Sequence, residues 1–311
     1  MTDAESGAVA EGTRPTAFLL GAPTASGKSE VALRLAELFG LEIVSADAMQ
    51  VYCGLDVGTA KPSLAERARV PHHLIDVANP DQPFSVAEWV QQAEDAVLDA
   101  HVRGVSCLIV GGTGFYLHAL AEGLPGTPAA DPAAQAPIWR RFELEGVEIL
   151  NDEALARAPE DARRADRNPR RLVRLLELLD RTGRPPSDFA RRPPRLAVDR
   201  TWLIPSLEAL TPRIEARTRA MLAEGLVAEA AALDVASLAT ASQAIGYAEA
   251  AAVARGETSI DAATAAIAAA TRRYARRQRT WFRRHPAERR FSALATEVEL
   301  ELEAWLRANA P

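Results

Sequence analysis

Lys28 stands in a short segment whose residue types suit the binding of phosphate. It is one of only two lysines in a chain that otherwise uses arginine for positive charge, and it belongs to Ala22-Pro23-Thr24-Ala25-Ser26-Gly27-Lys28-Ser29. Backbone N–H groups of such a loop, with the positive end of a following helix, surround a phosphate group. Lys28 would add a point charge, and the Ser29 hydroxyl would be a Mg²⁺ ligand. The segment therefore predicts a phosphate-binding loop.

One position of this loop departs from the usual pattern. A glycine normally stands where this chain has Ala22, and Gly21 lies one place too early. If the position required a positive φ, alanine would be strained; if it required only a small side chain, alanine would serve. We adopt the second interpretation. The simpler alternative is a strand-to-helix turn that resembles the motif by accident.

A second group with possible chemistry is Asp47, which follows directly after the apolar segment 41–44. Ligands of open α/β sheets bind at the carboxyl ends of strands, so this carboxylate could accept a proton from an incoming nucleophile. A turn-forming or N-cap role is the alternative. The segment 107–110 ends in Gly111-Gly112-Thr113-Gly114, without the aspartate that binds magnesium in nucleotide hydrolases of this class, which disfavours an ordinary ATPase. For Thr113 the simplest interpretation is an N-cap of the next helix.

The elements around these residues alternate between strand and helix. Periodicity predicts, in order, strand 17–20, helix 28–39, strand 41–44, helix 86–102, strand 105–110 and strand 202–204. Ser85 and Glu88 have the spacing of a capping box at the start of the second helix. Strands that alternate with helices form a parallel, doubly wound sheet, so the predicted fold class is α/β.

The middle third of the chain has a different character. Prolines are frequent at its start and its end, and short alanine- and arginine-rich helical segments lie between them. Long helices follow it to the end of the chain. We therefore predict a disordered tail at 1–13, a catalytic core with C-terminal helices from 14–124 and 200–311, and a helical insertion domain at 125–199.

Composition is typical of a globular protein, since 48% of the 311 residues are hydrophobic. No apolar run approaches the roughly 20 residues that span a bilayer, and the first dozen residues do not have the order of a secretion signal. Cys53 and Cys107 are too few for a disulfide framework and lack neighbours at zinc-ligand spacing. His72 and His73 are predicted loop or domain-contact residues. We expect a cytoplasmic protein with no membrane contact.

Positive charge is concentrated in two stretches of a chain whose net charge is −6. Residues 163–200 contain 12 arginines against 5 acidic residues, and residues 272–290 contain 9 arginines against one glutamate. An arginine run taken alone is equally well a solvated helix face. Two runs together with a phosphate loop favour a polyanionic partner.

Several further segments closely resemble the bacterial tRNA dimethylallyltransferases. Besides the phosphate loop they are 45–52, 54–62, 71–76, 111–116, 213–217, 243–247 and 277–283. They occur in the family's order and extend the resemblance from residue 17 to about residue 285. Five or more unusual motifs in one order are difficult to produce by chance.

The resemblance implies transfer of a five-carbon chain from dimethylallyl diphosphate to the exocyclic amine of the adenine 3′ to a tRNA anticodon. It assigns Asp47 as general base, Thr113 to the reacting centre, Arg217 to the leaving diphosphate and Ser29 to a Mg²⁺ cofactor. The residues that would bind diphosphate are Ala22, Pro23, Thr24, Ala25, Ser26, Gly27, Lys28 and Ser29. Departure of diphosphate builds negative charge that these groups could stabilise.

The same resemblance implies an interface for the anticodon stem-loop. Its residues would be Asp47, Ala48, Met49, Gln50, Arg170, Arg171, Arg174, Gln243, Gly246, Tyr247, Arg276, Arg277, Gln278, Thr280, Trp281 and Arg283. Two departures from the family pattern are Ala22 in the loop and Cys53, where an arginine is common. No zinc-finger segment follows residue 290, so we expect the prokaryotic type of enzyme, acting as a monomer.

Three alternatives stay open. A small-molecule kinase would use ATP in the same loop, and a non-catalytic nucleic-acid binder would keep a nucleotide only as a structural ligand. An enzyme that prenylates a free adenine nucleotide is disfavoured, because a mononucleotide does not require an arginine-rich insertion. Prenyl transfer to tRNA is the leading hypothesis.

Overall fold

The computed structural model describes residues 14–233 and 240–309, so the predicted tail at 1–13 lies outside the described residues. The strands are β1 (Thr16–Gly21), β2 (Glu42–Ala46), β3 (His72–His73), β4 (Cys107–Gly111), β5 (Ala197–Leu203) and β6 (Arg289–Phe291). The helices are α1 (Lys28–Phe39), α2 (Leu64–Arg69), α3 (Val86–Val102), α4 (Gly114–Glu122), α5 (Pro132–Glu145), α6 (Val147–Arg157), α7 (Pro159–Ala165), α8 (Pro169–Thr182), α9 (Leu207–Ala223), α10 (Leu226–Ala232), α11 (Tyr247–Ala254), α12 (Ile260–Arg284) and α13 (Glu299–Asn309). Within these ranges, no helix combines the length and the apolar character needed to cross a lipid bilayer.

The strands form one parallel sheet in the order β3-β2-β4-β1-β5-β6. Successive side chains of a strand point to opposite faces. Along β1, Ala17 and Leu19 join a core cluster with α3, α4 and α12, whereas Phe18 and Leu20 join a second cluster with α1 and α13. Both faces of the sheet are therefore covered, as in doubly wound proteins, and the predicted α/β class is confirmed.

The limits of α1 and α3 agree with the sequence prediction, and Ser85 and Glu88 form the expected capping box. The strand predicted at 202–204 begins earlier, at Ala197, because it pairs with all six residues of β1. The loop interpretation of His72 and His73 is wrong. These residues pair with β2 at the edge of the sheet. Two adjacent polar side chains do not form the alternating apolar and polar pattern from which a strand is predicted.

Three neighbouring strands end at one level. Gly21 of β1 and Ala46 of β2 are both in register with Gly111 of β4. A side chain on Gly111 would overlap the Ala46 carbonyl, so the close approach of β2 and β4 requires glycine. The segments that follow these strands, which carry the phosphate loop, Asp47 and Thr113, therefore emerge side by side.

Gly123–Pro193 forms a compact unit of its own, and the remaining described residues form the other. The predicted insertion at 125–199 covers nearly the same residues. Helices α5 to α8 pack around a separate apolar core that includes Leu150 and Leu176. Buried Glu177 accepts hydrogen bonds from Gln135 and from two arginines of this unit, so part of its positive charge is neutralised internally.

Candidate active site

The loop between β1 and α1 has a backbone shaped by two left-handed residues, Ala25 with φ of 63° and Gly27 with φ of 85°. Ala22 is fully buried and does not have a positive φ, so this position requires a small side chain, in agreement with our interpretation. The strained alanine is Ala25, where a left-handed conformation costs about 1–2 kcal/mol. Its carbonyl accepts a hydrogen bond from Arg213 Nε at 2.8 Å, which helps to hold the loop.

Lys28, Arg217 and Asp47 form the charged centre of the site. Burial and the nearby Arg217 lower the pKa of Lys28 to about 8, against the attraction of Asp47. Burial also lowers the pKa of Arg217, and Asp47 again opposes the shift. Two cations beside one carboxylate leave an excess of positive charge, which a bound diphosphate would neutralise.

Asp47 follows β2 and forms a turn with its own backbone. Its Oδ1 accepts hydrogen bonds from the N–H groups of Met49 at 2.9 Å and of Gln50 at 3.4 Å. The turn-forming role proposed as an alternative is therefore present. The turn uses only the Oδ1 oxygen of the carboxylate, and Asp47 also lines a cavity. Turn formation is therefore compatible with the predicted role as a proton acceptor.

Thr113 joins the Asp47 turn to β4. Its Oγ1 accepts a hydrogen bond from Ala48 N at 3.0 Å, and its own N–H donates to Ala46 O at 3.1 Å. The hydroxyl bonds the neighbouring turn, while the Thr113 carbonyl accepts hydrogen bonds from Tyr116 N at 2.9 Å and Leu117 N at 3.3 Å, so Thr113 also stands at the predicted N-cap position of α4. Tyr274 is hydrogen-bonded to Thr113, and burial together with the negative charge of Asp47 raises the pKa of Tyr274. Tyr274 therefore stays protonated next to the carboxylate.

Gln278 of α12 is a buried residue whose side chain hydrogen-bonds the phosphate loop. Its Oε1 accepts a hydrogen bond from Thr24 N at 2.9 Å, and its Nε2 donates to Gly112 O at 2.9 Å. The resemblance assigned Gln278 to RNA, but only 6% of the residue is exposed. Its side chain connects two backbone segments of the site and is turned away from the exposed face of α12.

Arg217 lines two cavities. One has a volume of about 290 Å³ and combines Thr24 and Asp47 with the apolar residues Met49, Ile214, Met221, Ile245 and Ile267. The lining of the other, of about 350 Å³, includes Gly27, Lys28, Ser29 and Arg213, and also Glu30, whose carboxylate is paired with Arg34. A ligand with a short apolar chain and an anionic head would match this pair of cavities.

Ser29 is the residue best placed to hold a magnesium ion at the anionic end. It is exposed at the start of α1 and lines the same cavity as Lys28. The described residues contain no group of three or more His, Cys, Asp or Glu that could hold a metal. One hydroxyl in a cavity that could hold a diphosphate fits Mg²⁺, because this ion takes most of its ligands from phosphates and water.

Some of the predicted RNA contacts lie on accessible surfaces. Arg276, Arg277, Thr280 and Arg283 are exposed on α12, and these three arginines form no ion pair within 14–233 and 240–309. Gln243, also exposed, lines the 290 Å³ cavity together with Ala48, Met49 and Arg277. In the separate unit, Arg170 and Arg171 are exposed in the first turn of α8.

Other predicted RNA contacts are directed into the protein. Tyr247 is fully buried, and its neighbour Gly246 is the buried N-cap of α11. The Trp281 ring stacks on His285 with 3.6 Å between ring centroids. Arg174 binds Glu177 and the carbonyl of Pro128, and Gln50 accepts a hydrogen bond from Ser45. Packing therefore decides which side chains of the predicted RNA-binding segments face inward.

Two side chains that contact the site were not predicted from the sequence. Arg213, which bonds the Ala25 carbonyl, was not assigned a role, although it lies four residues before Arg217 on α9. That spacing places both guanidinium groups on one helix face. No sequence signal indicated the hydrogen bond between Tyr274 and Thr113.

Comparison with known proteins gives consistent matches. Residues 50–285 match the family model described as IPP transferase. The chain is 47% identical over 272 residues to a tRNA dimethylallyltransferase of Thermus thermophilus, covering 87% of this chain and 90% of that protein. It is 45% identical over 304 residues to one of Deinococcus radiodurans, covering 96% and 99%. The crystal structure of the full-length tRNA isopentenylpyrophosphate transferase from Bacillus halodurans is similar, with a TM-score of 0.67 and 31% identity over 95% of this chain and 96% of that one.

Proposed function

The chain belongs to the IPP transferase family, and we propose that it transfers the dimethylallyl group of dimethylallyl diphosphate to the exocyclic amine of the adenosine 3′ to a tRNA anticodon. The observation that carries this proposal is the position of Arg217, which lines both an apolar cavity and an anion cavity, next to Lys28 and Asp47. The allylic chain would occupy the first cavity and the diphosphate the second. The reacting carbon would then lie between the base and the cations.

Asp47 is the proposed general base. As the amine nitrogen bonds to the allylic carbon, the bond from that carbon to the diphosphate oxygen breaks, and the amine proton passes to the Asp47 carboxylate. The turn with Met49 N and the Thr113 bond to Ala48 N hold this carboxylate in place. An exocyclic amine of adenine is a weak nucleophile, so positioning must supply much of the rate.

Lys28, Arg217 and the loop amides are the proposed binding site of the leaving diphosphate. Their charge stabilises the negative charge that develops on the departing oxygen. Arg213 and Gln278 act indirectly, since each fixes the backbone of the loop. Bound Mg²⁺, held through Ser29 Oγ, would supply further positive charge to the diphosphate.

We expect catalytic efficiency to fall as the pH rises above 8. Lys28 in the free enzyme has a pKa of about 8, so it is charged below this value and becomes neutral above it. Because kcat/KM reports the free enzyme, kcat/KM for dimethylallyl diphosphate should fall by about tenfold per pH unit on the alkaline side. Bound diphosphate favours the charged amine, so kcat should stay level to higher pH. Lys28→Arg, whose charge persists, is the control; equal alkaline profiles for the two proteins would contradict the assignment.

The anticodon stem-loop of tRNA is the proposed partner of the exposed arginines. Those of α12 lie beside the cavity that contains Arg277, and Arg170 and Arg171 offer a second basic surface in the separate unit. The target base would leave its stack and enter the 290 Å³ cavity near Asp47. We propose that the enzyme acts as a monomer in the cytoplasm, where its tRNA substrate is found.

Salt dependence should identify the RNA surface. Each arginine that neutralises a phosphate releases counterions, so Arg276→Ala should reduce the slope of log Kd against log salt by about one unit. The measurement is the RNA dissociation constant between about 50 and 200 mM salt. Arg307→Ala, at an exposed position of α13, serves as control and should keep the wild-type slope. An unaltered slope for Arg276→Ala would identify this arginine as an ordinary solvated side chain.

A direct assay separates the proposed function from its alternatives. The purified protein is incubated with labelled dimethylallyl diphosphate, Mg²⁺ and either an anticodon stem-loop RNA or AMP. We expect label on the RNA and none on AMP. Label on AMP alone would establish prenylation of a free nucleotide, and ATP turnover with a small-molecule acceptor would establish a kinase.

A further inference from the structure

Glu229 of α10 occupies a nest of backbone amides close to the site. Its carboxylate accepts hydrogen bonds from the N–H groups of Asp56 at 3.1 Å, Val57 at 2.8 Å and Gly58 at 3.1 Å. A fourth hydrogen bond comes from the hydroxyl of Tyr247. Consecutive N–H groups of this kind bind anions, and here the anion is supplied by the protein itself. The nest is therefore a structural joint between the 56–58 segment and α10.

The segment held in this way continues directly into the wall of the site. Gly58 and Thr59 line the 290 Å³ cavity together with Asp47 and Arg217. The Thr59 carbonyl accepts hydrogen bonds from Arg217 Nη2 at 3.4 Å and from Gln50 Nε2 at 3.2 Å. Thr59, whose backbone oxygen Arg217 contacts, thus follows directly after the last residue of the amide nest.

Tyr247 contacts both partners of this joint, the 56–58 segment and Glu229. Its ring lies so close to Gly58 that any side chain there would overlap it, and the residue is fully buried. Burial, and then the hydrogen bond to Glu229, raise the pKa of the Tyr247 hydroxyl, so it remains a donor at all working pH values. The Tyr247 ring packs against Gly58 of the 56–59 turn, and the Tyr247 hydroxyl holds the Glu229 carboxylate.

We propose that Glu229 is a positioning residue of the transfer reaction, whose carboxylate holds the 56–59 turn on Tyr247 and thereby orients Arg217 toward the diphosphate. This inference rests on the proposed function and adds a residue that touches neither substrate. Without the carboxylate, three amides would lose an ionised acceptor, and the Thr59 carbonyl could move away from Arg217. Small displacements of a positioning group reduce rates strongly.

The test uses the full-length protein with Glu229→Gln, which keeps the shape and removes the charge, and Glu224→Gln, which removes the same charge from an exposed position. Two quantities are measured: the affinity for inorganic pyrophosphate with Mg²⁺, and kcat and KM for transfer to RNA. We expect E229Q to weaken pyrophosphate binding and lower kcat by about tenfold each. RNA affinity should stay close to wild type, the melting temperature should fall because donors of the nest are left without an acceptor, and E224Q should match wild type throughout.

A double-mutant cycle distinguishes positioning from a general loss of structure. If Glu229 acts through Arg217, adding E229Q to Arg217→Gln should change pyrophosphate affinity by less than about twofold, because coupled residues are not additive. A full additional loss, or wild-type behaviour of E229Q alone, would overturn the inference. If E229Q does not fold, Tyr247→Phe is tested in its place. Removal of its one hydrogen bond to Glu229 should lower pyrophosphate affinity by about threefold. Wild-type pyrophosphate affinity of Tyr247→Phe would overturn the inference. Absence of transfer to RNA by the wild-type protein would refute the proposed function, whereas pyrophosphate binding would still test Glu229.

Discussion

Asp47→Asn should reduce transfer to RNA by about 10²–10⁴-fold, the usual contribution of a positioned general base. Asparagine keeps an Oδ1 that can accept the hydrogen bonds from Met49 N and Gln50 N, so the turn should stay intact. It cannot take up the amine proton at neutral pH. The rate of single-turnover transfer, measured with saturating RNA and dimethylallyl diphosphate, gives this loss directly.

Binding measurements on the same variant separate chemistry from recognition. Removal of the Asp47 charge leaves Lys28 and Arg217 without their nearby anion, so pyrophosphate affinity should be unchanged or slightly higher. RNA affinity should stay within about twofold, because the phosphate contacts are made elsewhere. Asp81→Asn, at an exposed loop position, is the control and should transfer at the wild-type rate. Asp47→Asn with more than a tenth of wild-type activity would exclude Asp47 as the base.

Lys28→Met should lower transfer by about 10²–10³-fold, as expected when one preorganised charge is removed from a site that stabilises a developing anion. Methionine has a similar length and suits a half-buried position. Because burial already lowers the pKa of Lys28 to about 8, the charged amine is held at a cost in folding free energy. We therefore expect the melting temperature to stay level or rise while activity falls.

Opposite changes in activity and stability are the signature of a functional charge. Pyrophosphate titration of Lys28→Met should show weaker binding, whereas RNA affinity should not change. Arg219→Met removes a positive charge from an exposed position of α9 and should leave transfer intact. A loss of less than about fivefold for Lys28→Met would mean that the loop amides and Arg217 hold the diphosphate without it.

The sequence by itself determined the features that depend on near neighbours. The order of β1, phosphate loop and α1, the capping box of Ser85 and Glu88, and the parallel α/β class follow from spacing within short windows. Asp47 was also identified locally, since it follows an apolar strand at the edge where ligands bind. The family resemblance added the order of motifs along the whole chain.

Only the tertiary structure decided where side chains point once distant segments meet. Gln278 bonds Thr24 across 254 residues, and Glu229 bonds the amide of Asp56 across 173 residues. A motif in the sequence indicates that a segment takes part in a site, but whether Tyr247 faces RNA or the core depends on partners that no local pattern contains. The physical reason is that burial and hydrogen bonding are satisfied by the whole fold, whereas helix and strand periodicity are properties of single segments.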